Sequence, residues 1–349
     1  MLTQNQIKEI KEHLEKAQNP LFFFDNDQDG LCSFLLLQKY IQRGKGVPIK
    51  TFPDLNITYF RKVDELNPDY IFILDKPIVS KEFLNEIHKL NLPIVWIDHH
   101  EIDKKTIPDF VNYYNPLFNN PPENPPVTAL CHQINSKKQD LWLAVIGCIA
   151  DRHFPKFYQE FKKQFPELTI NSSKPFEILY NSEIGKTTRM LGFGLKDRTT
   201  NVINMLKLLI SAKSPYDILT ETNKNKSIHA KYNELNEKYI KLLKKAKELN
   251  SEKIIFFEYG GDLSISSDLA NQLTYEFPEK IIFVIYKKGI KANISARGKN
   301  IKKSVSKVIN EIPEATGGGH EDAIGARINI KDLDIFKEKI KNILKHRKL

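Results

Sequence analysis

The sequence predicts an α/β protein, with a parallel sheet in its first part and a second, smaller α/β region towards the C-terminus. Three segments are continuously apolar, as expected of strands buried on both faces of a sheet: LFFFD (21–25), YIFILD (70–75) and PIVWID (93–98). Helical patterns lie between them, and strands that alternate with helices indicate parallel pairing. In such sheets ligands gather at the carboxyl ends of the strands, where the chain places an Asp after each apolar run.

The elements of the first part follow from apolar spacing and cap residues. Residues 31–43 have the length and apolar spacing of a helix, and the helical pattern at 80–90 begins with Ser80, a suitable N-cap. Five prolines in residues 115–127 predict an irregular loop. Residues 140–151 are apolar enough for a buried helix, which ends at another Asp.

The second part is first helical and then returns to an α/β pattern. Residues 175–250 have mostly helical patterns, including an amphipathic helix at 234–249 with a Lys-rich outer face. Strand, helix and strand patterns follow at 253–259, 267–277 and 280–288.

The chain is longer than one hydrophobic core usually serves. Its 349 residues therefore predict two domains. We place them at residues 1–165 and 251–349, joined by a helical connector at 166–250.

The composition is typical of a globular protein, with 41% hydrophobic and 28% charged residues. No apolar run approaches the roughly 20 residues that span a bilayer, and the polar N-terminal segment is unlike a secretory signal. Cys32, Cys131 and Cys148 are too few and too scattered for a disulfide framework. We therefore expect a reducing, cytoplasmic location and no membrane partner.

The formal net charge is +10, from 53 basic and 43 acidic residues. A basic balance favours a polyanionic partner, although Lys-rich usage also reflects codon bias or heat adaptation. The charge is concentrated beside a glycine-rich segment, because no acid occurs between Tyr286 and Glu311. This favours the polyanion. The basic residues of that stretch are Lys287, Lys288, Lys291, Arg297, Lys299, Lys302, Lys303 and Lys307.

The segment DNDQDG (25–30) places Asp25, Asp27 and Asp29 at alternate positions, followed by Gly30, which suits a tight turn. Like charges this close repel, so the segment predicts a bound cation. A calcium loop of the EF-hand type is disfavoured, because its twelfth position would be Leu36 instead of Glu.

The segment WIDHHE (96–101) places Asp98, His99 and His100 directly after an apolar strand. Alone, the triplet is more typical of an ordinary surface or core histidine. Together with the acids at the ends of the other apolar segments, it predicts a metal centre with nitrogen and oxygen ligands, as Mn²⁺ accepts. Two metal ions clamping a phosphate are a standard use of such a cluster.

The segment ATGGGHEDAIGARI (315–328) predicts a glycine-rich loop that brings backbone N–H groups close to an anion. It is neither a Walker loop nor a dinucleotide fingerprint, and a merely flexible loop is the alternative. We expect phosphate contacts from Gly317, Gly318, Gly319 and His320, and from Arg297, whose guanidinium binds phosphate through two parallel hydrogen bonds.

Together, DNDQDG, WIDHHE and GGGHEDAIGARI resemble the DHH phosphoesterase superfamily, in particular its RecJ-like branch. The resemblance covers most of the chain. It implies a DHH domain at the N-terminus and a DHH-associated domain at the C-terminus, the latter marked by the GGGH segment and the upstream SAR (295–297).

The resemblance also implies roles for individual residues. It implies two Mn²⁺ ions, with Mg²⁺ as an alternative, and a bridging role for Asp75. It also implies that Asp98, His99 and His100 are catalytic residues, with Asp98 and His100 supporting the site and the substrate phosphate. Ser295, Arg297 and His320 would grip substrate phosphate. The motif departs from the family at Asp25, which stands where the family has His. The implied metal ligands are Asp25, Asp27, Asp29, Asp75, His99 and Asp151.

The implied function is Mn²⁺-dependent exonuclease cleavage of single-stranded DNA or RNA. Such an enzyme would serve DNA repair or replication, with repair or replication proteins as further partners. One alternative is a phosphoesterase for short oligonucleotides, phosphoadenosine phosphate or cyclic dinucleotides. Another, motivated by Asp25, is a non-catalytic subunit of a replication assembly. The sequence leaves polarity, nucleic-acid type and oligomeric state open.

Overall fold

The computed structural model describes residues 1–51, 54–249, 252–262 and 264–345. It divides into two compact units, Met1–Tyr232 and Asn233–Leu349, which are described one at a time. Within the described residues, no helix is both long and apolar enough to cross a membrane. The boundaries expected at 165 and 250 stay predictions.

The first unit is built on a five-stranded parallel sheet, which confirms the predicted fold class. The spatial order is β2-β1-β4-β6-β7, and a separate two-stranded ribbon pairs β3 with β5. The three apolar runs form the central strands β1, β4 and β6, whose residues are almost all buried. The strands are β1 (Pro20–Asp25), β2 (Lys45–Ile49), β3 (Asp54–Leu55), β4 (Tyr70–Leu74), β5 (Ile78–Val79), β6 (Ile94–Ile97) and β7 (Val111–Tyr114).

The helices of this unit include those that the apolar spacing predicts. Ser80 caps α4 as expected, because its side chain accepts a hydrogen bond from the Phe83 N–H. The sequence analysis does not predict the first helix, α1, which a capping box at Thr3 starts. The helices are α1 (Gln4–Lys16), α2 (Gln28–Ile41), α3 (Phe60–Leu66), α4 (Lys81–Lys89), α5 (Val127–Ile134), α6 (Leu141–Ala150), α7 (Tyr158–Gln164), α8 (Pro175–Asn181), α9 (Glu183–Leu195), α10 (Thr199–Ser211) and α11 (Tyr216–Leu219); α12 (Lys226–Lys247) begins here and ends in the second unit.

Aromatic side chains of the central strands form the core on both faces of the sheet. Phe22 stacks on Phe72 of the neighbouring strand and tilts against Phe34 of α2, while Phe23 packs edge-on against Phe83 of α4 on the other face. This alternation follows from the two-residue period of a strand. Burial on both faces is the reason why the run LFFFD carries no polar alternation.

The second unit contains a mixed five-stranded sheet of order β11-β12-β10-β9-β8, in which only β8 and β9 pair in parallel. Helices α13, α14 and α15 follow or separate its strands, and α14 and α15 supply buried side chains to one core cluster with the sheet. The strands are β8 (Ile254–Gly260), β9 (Ile281–Lys288), β10 (Lys291–Arg297), β11 (Thr316–His320) and β12 (Ala323–Asn329); the helices are α13 (Ser266–Glu276), α14 (Ile301–Asn310) and α15 (Leu333–Lys345).

The glycine-rich segment is not the loop that the sequence predicts. Thr316–His320 forms the edge strand β11 and pairs antiparallel with β12. Close packing explains the glycines at two of its positions. A Cβ on Gly317 would lie 2.7 Å from the Gly325 carbonyl oxygen, and one on Gly319 would lie 2.3 Å from that of Ala323.

Gly30 lies where α2 packs against the end of β1, and a substitution there tests this contact. An added Cβ would lie 2.4 Å from the backbone oxygen of Asp25, which cannot move without disturbing the strand. We expect Gly30→Ala to lower the free energy of unfolding by about 1–3 kcal/mol, measured by urea denaturation. Gly194→Ala is the control, because its Cβ meets only the flexible Met205 side chain. Equal losses in the two variants would contradict this account.

Candidate metal centre

The carboxyl ends of the central strands bring three acids to one edge of the first unit's sheet. Asp25 ends β1, while Asp75 follows β4 and Asp98 follows β6. The strands end together, because Phe24 pairs with Leu74 and Leu74 with Ile97. The backbone N–H of Asp75 also donates to the Ile97 carbonyl, at 3.0 Å. The sheet register therefore aligns these acids, as the sequence predicts.

The turn after β1 positions two more acids through backbone N–H groups. Asp27 caps α2, and its Oδ1 accepts a hydrogen bond from the Gly30 N–H at 2.9 Å. Asp29 lies in the first turn of α2, and its two carboxylate oxygens accept from the N–H groups of Val127 and Thr128 at 2.9 and 2.7 Å. These donors are at the start of α5, where a helix favours negative charge. Gly30 lies within helix α2, so no unusual backbone conformation requires a glycine there. A glycine is required because a Cβ atom would clash with the backbone of Asp25.

Asp75 is held in a sparsely populated backbone conformation. Its φ is 58°, in the left-handed region that non-glycine residues seldom adopt. Its side chain is buried, and Oδ1 lies 3.4 Å from the Nε2 atom of His99. Strain of this kind often accompanies functional sites, where the surrounding structure maintains it.

Asp98 orients His100. The carboxylate is completely buried; Oδ1 lies 2.8 Å from Nδ1 of His100, and Oδ2 accepts a hydrogen bond from the Tyr113 hydroxyl at 3.2 Å. Asn115 donates both to that hydroxyl and to the His100 carbonyl. Burial lowers the pKa of His100, but the Asp98 carboxylate raises it, and the net shift is upward. The network fixes the imidazole ring and favours its cationic form.

A set of potential metal ligands converges beside Asp75. Ligand atoms of Asp29, His99 and Asp151 all lie within 4.8 Å of one another, Asp151 being the residue that ends α6. Asp75, Asp98 and His100 form a second set of the same compactness. Carboxylate and imidazole donors suit Mn²⁺ or Mg²⁺ by their chemistry, so the residues present fit a divalent cation.

The carboxylates at this edge raise one another's pKa. The pKa of Asp27 rises to about 8, through desolvation of its carboxyl group by the surrounding protein atoms and through repulsion by Asp25 and Asp29, although part of the residue is exposed at the surface. The pKa of Asp29 rises to about 6 by burial and by Asp151. Burial and these same acids hold the pKa of Asp75 well above its usual range. A cation that binds here must therefore displace protons.

Lys76 is a charged neighbour that the sequence analysis overlooks. Its side chain is only 1% exposed, and its Nζ atom lies 2.7 Å from Oδ1 of Asp25. The sequence argument expects divalent ions to compensate all of these acids, whereas the structure pairs Asp25 with a lysine. The signal is present in the sequence, because Lys76 directly follows Asp75 at the same edge of the sheet.

The residues expected to bind phosphate lie in the second unit, where two of them belong to a buried polar network. The Ser295 hydroxyl donates to that of Ser266, at 3.1 Å. Arg297 is 8% exposed; its Nε donates to the side chain of Asn271 and its Nη1 to the Ala296 carbonyl. Gly317, Gly318, Gly319 and His320 lie on the edge strand β11. Their contacts with phosphate stay predictions.

Two of the lysines in the basic stretch are compensated by acids. Lys287 lies 3.1 Å from Glu258, and Lys291 lies 3.2 Å from Glu314. Lys303 and Lys307 are exposed on α14. The basic surface of the second unit is thus smaller than the sequence suggests.

The first unit also has a cavity of about 500 Å³ at the end of β2, with Lys50, Arg61 and Lys62 in its lining. Apolar side chains such as Val47 and Ile203 complete it. It includes Thr51, whose carbonyl oxygen accepts a hydrogen bond from Lys76. The sequence analysis does not single out these basic residues, because they lie in separate segments of the chain.

A parallel sheet with a carboxylate and imidazole cluster at its carboxyl edge describes an α/β protein with a candidate site for a divalent metal. Residues 21–145 match the family model "DHH family, N-terminal domain", and residues 250–346 match "DHHA1 domain". The chain belongs to the DHH superfamily, and its fold is that of RecJ. No curated protein sequence matches the chain.

Solved structures share this fold at low sequence identity. RecJ in complex with Mn²⁺ from Thermus thermophilus matches with a TM-score of 0.71 and 14% identity, over 98% of this chain. The match covers 54% of that protein, so this chain spans about half of its length. CDC45 from Entamoeba histolytica matches with a TM-score of 0.56 and 10% identity, over 96% of this chain and 98% of that one. The pGpG-specific phosphodiesterase PggH from Vibrio cholerae matches with a TM-score of 0.51 and 15% identity, over 95% of this chain and 100% of that one.

The raised pKa values predict how the stability of the metal-free first unit depends on pH. Folded Asp27 keeps its proton up to about pH 8, whereas an unfolded Asp ionises near pH 4. The folded state therefore binds more protons between these values, and the free energy of unfolding falls as the pH rises through the window. We expect this fall in urea denaturation of chelator-treated protein, followed by the fluorescence of Trp96 and Trp142, which both lie in this unit.

Two variants test whether Asp27 causes this pH dependence of stability. Asp27→Asn keeps an N-cap side chain but cannot ionise, so its stability should fall less between about pH 4 and pH 8, the window set by the unfolded and folded pKa values of Asp27. Asp109→Asn changes an exposed acid and should leave the slope as it is. Identical slopes for Asp27→Asn and the unaltered chain would show that the Asp27 proton has no such effect.

Proposed function

We propose that the chain is a Mn²⁺-dependent phosphodiesterase that acts as a RecJ-like exonuclease on single-stranded DNA or RNA, with Mg²⁺ as the alternative ion. The observation that carries this proposal is the convergence of Asp29, His99 and Asp151 beside the strained Asp75. The fold shared with RecJ, which was crystallised with Mn²⁺, supports the choice of ion. Asp29, Asp75, His99 and Asp151 would hold it.

The residues around this centre have distinct roles in phosphodiester hydrolysis. A bound divalent ion would polarise a phosphoryl oxygen and supply an activated water. The N–H groups of α5 hold Asp29 in place, so its carboxylate needs no rearrangement to act as a ligand. Asp98 holds His100 and favours its imidazolium form, which would donate a hydrogen bond to a phosphoryl oxygen as charge develops there. We also propose that Ser295, Arg297, the three glycines of β11 and His320 contact substrate phosphate.

A non-catalytic role in a replication assembly is the second candidate. It is favoured by Asp25, which stands where the family has His and is paired with Lys76. The shared fold with CDC45 is consistent with it.

The test of the nuclease proposal compares the purified chain with His99→Ala on end-labelled 20-nucleotide DNA and RNA, with Mn²⁺ or with a chelator. We expect Mn²⁺-dependent release of short products, reduced at least about 100-fold in the variant, since even outer-shell partners of a metal contribute 10–100-fold. Glu101→Gln is the control; it alters an exposed acid beside the motif. Cleavage at equal rates by the chain and by His99→Ala would point to a contaminating nuclease, and no cleavage at all would favour the replication subunit.

Substrate length separates the exonuclease from the small-substrate alternative. An enzyme that binds a strand through several phosphates should process a 20-mer with a lower KM than a dinucleotide, and this advantage should shrink as salt increases. We expect that order here, measured with both substrates at two salt concentrations. A preference for the dinucleotide that is insensitive to salt would assign the chain to the phosphodiesterases of short substrates.

A further inference from the structure

We propose that the first unit's site binds one divalent ion instead of two, because the ammonium group of Lys76 takes the place of a second cation beside Asp25. This inference rests on the proposed function, since it assumes that the acidic edge binds metal. It concerns the number of ions and the residue that sets it.

The Lys76 ammonium is fixed at the edge of the sheet. Its Nζ donates to Oδ1 of Asp25 at 2.7 Å and to the backbone carbonyl of Thr51 at 3.1 Å. The backbone of Lys76 is fixed as well, because its carbonyl accepts a hydrogen bond from the Trp96 indole. With 1% of its side chain exposed, Lys76 has no route to water without disturbing this packing.

A second divalent ion on this side would need Asp25 or Asp27 as ligands. To use Asp25, it would have to bind a carboxylate whose Oδ1 already pairs with the buried Lys76 ammonium, so that two cations would share one anion at short range. To use Asp27 alone, it would have a single carboxylate ligand, one oxygen of which already accepts the Gly30 N–H. The side of the cluster that contains Asp25 therefore already has its cation.

The set formed by Asp75, Asp98 and His100 does not offer an alternative second position. Two of its ligand atoms are engaged with each other, because Nδ1 of His100 lies 2.8 Å from Oδ1 of Asp98. The other oxygen of Asp98 accepts from the Tyr113 hydroxyl. An ion would have to break this network, which is completely buried at Asp98.

The set formed by Asp29, His99 and Asp151 is the position that remains. The Asp29 carboxylate of this set accepts the neutral backbone N–H groups of Val127 and Thr128, and a carboxylate oxygen with one such bond keeps a lone pair for a metal. Asp75 lies next to His99 and completes a mixed oxygen and nitrogen ligand set. One ion there and one ammonium beside Asp25 give the edge two separate cations.

The experiment measures Mn²⁺ per chain, by equilibrium dialysis with elemental analysis, and the electron paramagnetic resonance spectrum of the bound ion. We expect one Mn²⁺ per chain with the spectrum of an isolated ion. Two ions at the roughly 3.5–4 Å of a two-metal site would instead give a spin-coupled spectrum. Two bound ions in the unaltered chain would overturn the proposal, and so would the absence of binding.

Two variants test whether Lys76 sets the number. Lys76→Met keeps the length of the side chain and removes its charge, which should free Asp25 and raise the stoichiometry from one to two. Asp25→Asn/Lys76→Met removes both charges, keeps a pair of similar volume and should still bind one ion. A single ion in Lys76→Met would overturn the role of Lys76. If Lys76→Met does not fold, Lys76→Gln, which also removes the charge and keeps Asp25, takes its place with the same expected rise from one ion to two.

Hydrolysis measured on the same samples separates this inference from the proposed function. Two coupled ions with active enzyme would refute the single-ion site and leave the nuclease standing. One ion without any cleavage of strands or dinucleotides would support the single-ion site and refute the nuclease.

Discussion

Acids that share a buried edge of a sheet must be neutralised, and the rest of the first unit's site depends on how this is done. The structure uses different means at neighbouring residues. Asp25 is paired with the Lys76 ammonium, Asp29 accepts backbone N–H groups from the start of α5, and Asp27 is stabilised in its protonated form. Divalent ions are thus not the only compensation for these carboxylates, contrary to the electrostatic argument made from the sequence.

These differences determine which of the acids can serve as metal ligands. A carboxylate held by neutral N–H groups keeps its charge and its place, and it suits a metal ligand. One that is already paired with an ammonium has no net charge to offer. Asp98 is committed to orienting His100 and is shielded by Tyr113. The acids at this edge therefore have different roles, which the repeated Asp residues of the sequence do not reveal.

The sequence could predict those parts of the fold whose signals are local. Strands buried on both faces read as apolar runs, and the ends of β1, β4 and β6 could be placed together because parallel strands share an edge. The edge strand β2 escapes such a prediction because its residues, KGVPI, are only partly buried and carry no such run. The sequence also could not show that Gly317–Gly319 lie in a strand, since glycine is typical of loops and the pairing with β12 is a tertiary contact.

The candidate site was predictable as a set of acids and histidines and unpredictable in its contacts. The placement of Asp27, Asp29, Asp75, His99 and Asp151 at the ends of apolar segments predicted a shared edge, and the ligand sets that the described residues form include all of these except Asp27. This placement gave no indication that N–H groups from α5, almost a hundred residues away along the chain, hold Asp29. Nor did it indicate that Arg297 is largely buried against Asn271. Such contacts depend on distant segments, which local patterns do not encode.

The left-handed backbone of Asp75 limits the ways in which this site could be lost during evolution. Asn and Gly accept that conformation readily, whereas β-branched residues do so at considerable cost. A descendant that no longer needed the carboxylate would be constrained to a small polar residue or glycine at this position. Loss of this carboxylate would then appear in an alignment as a change that looks conservative.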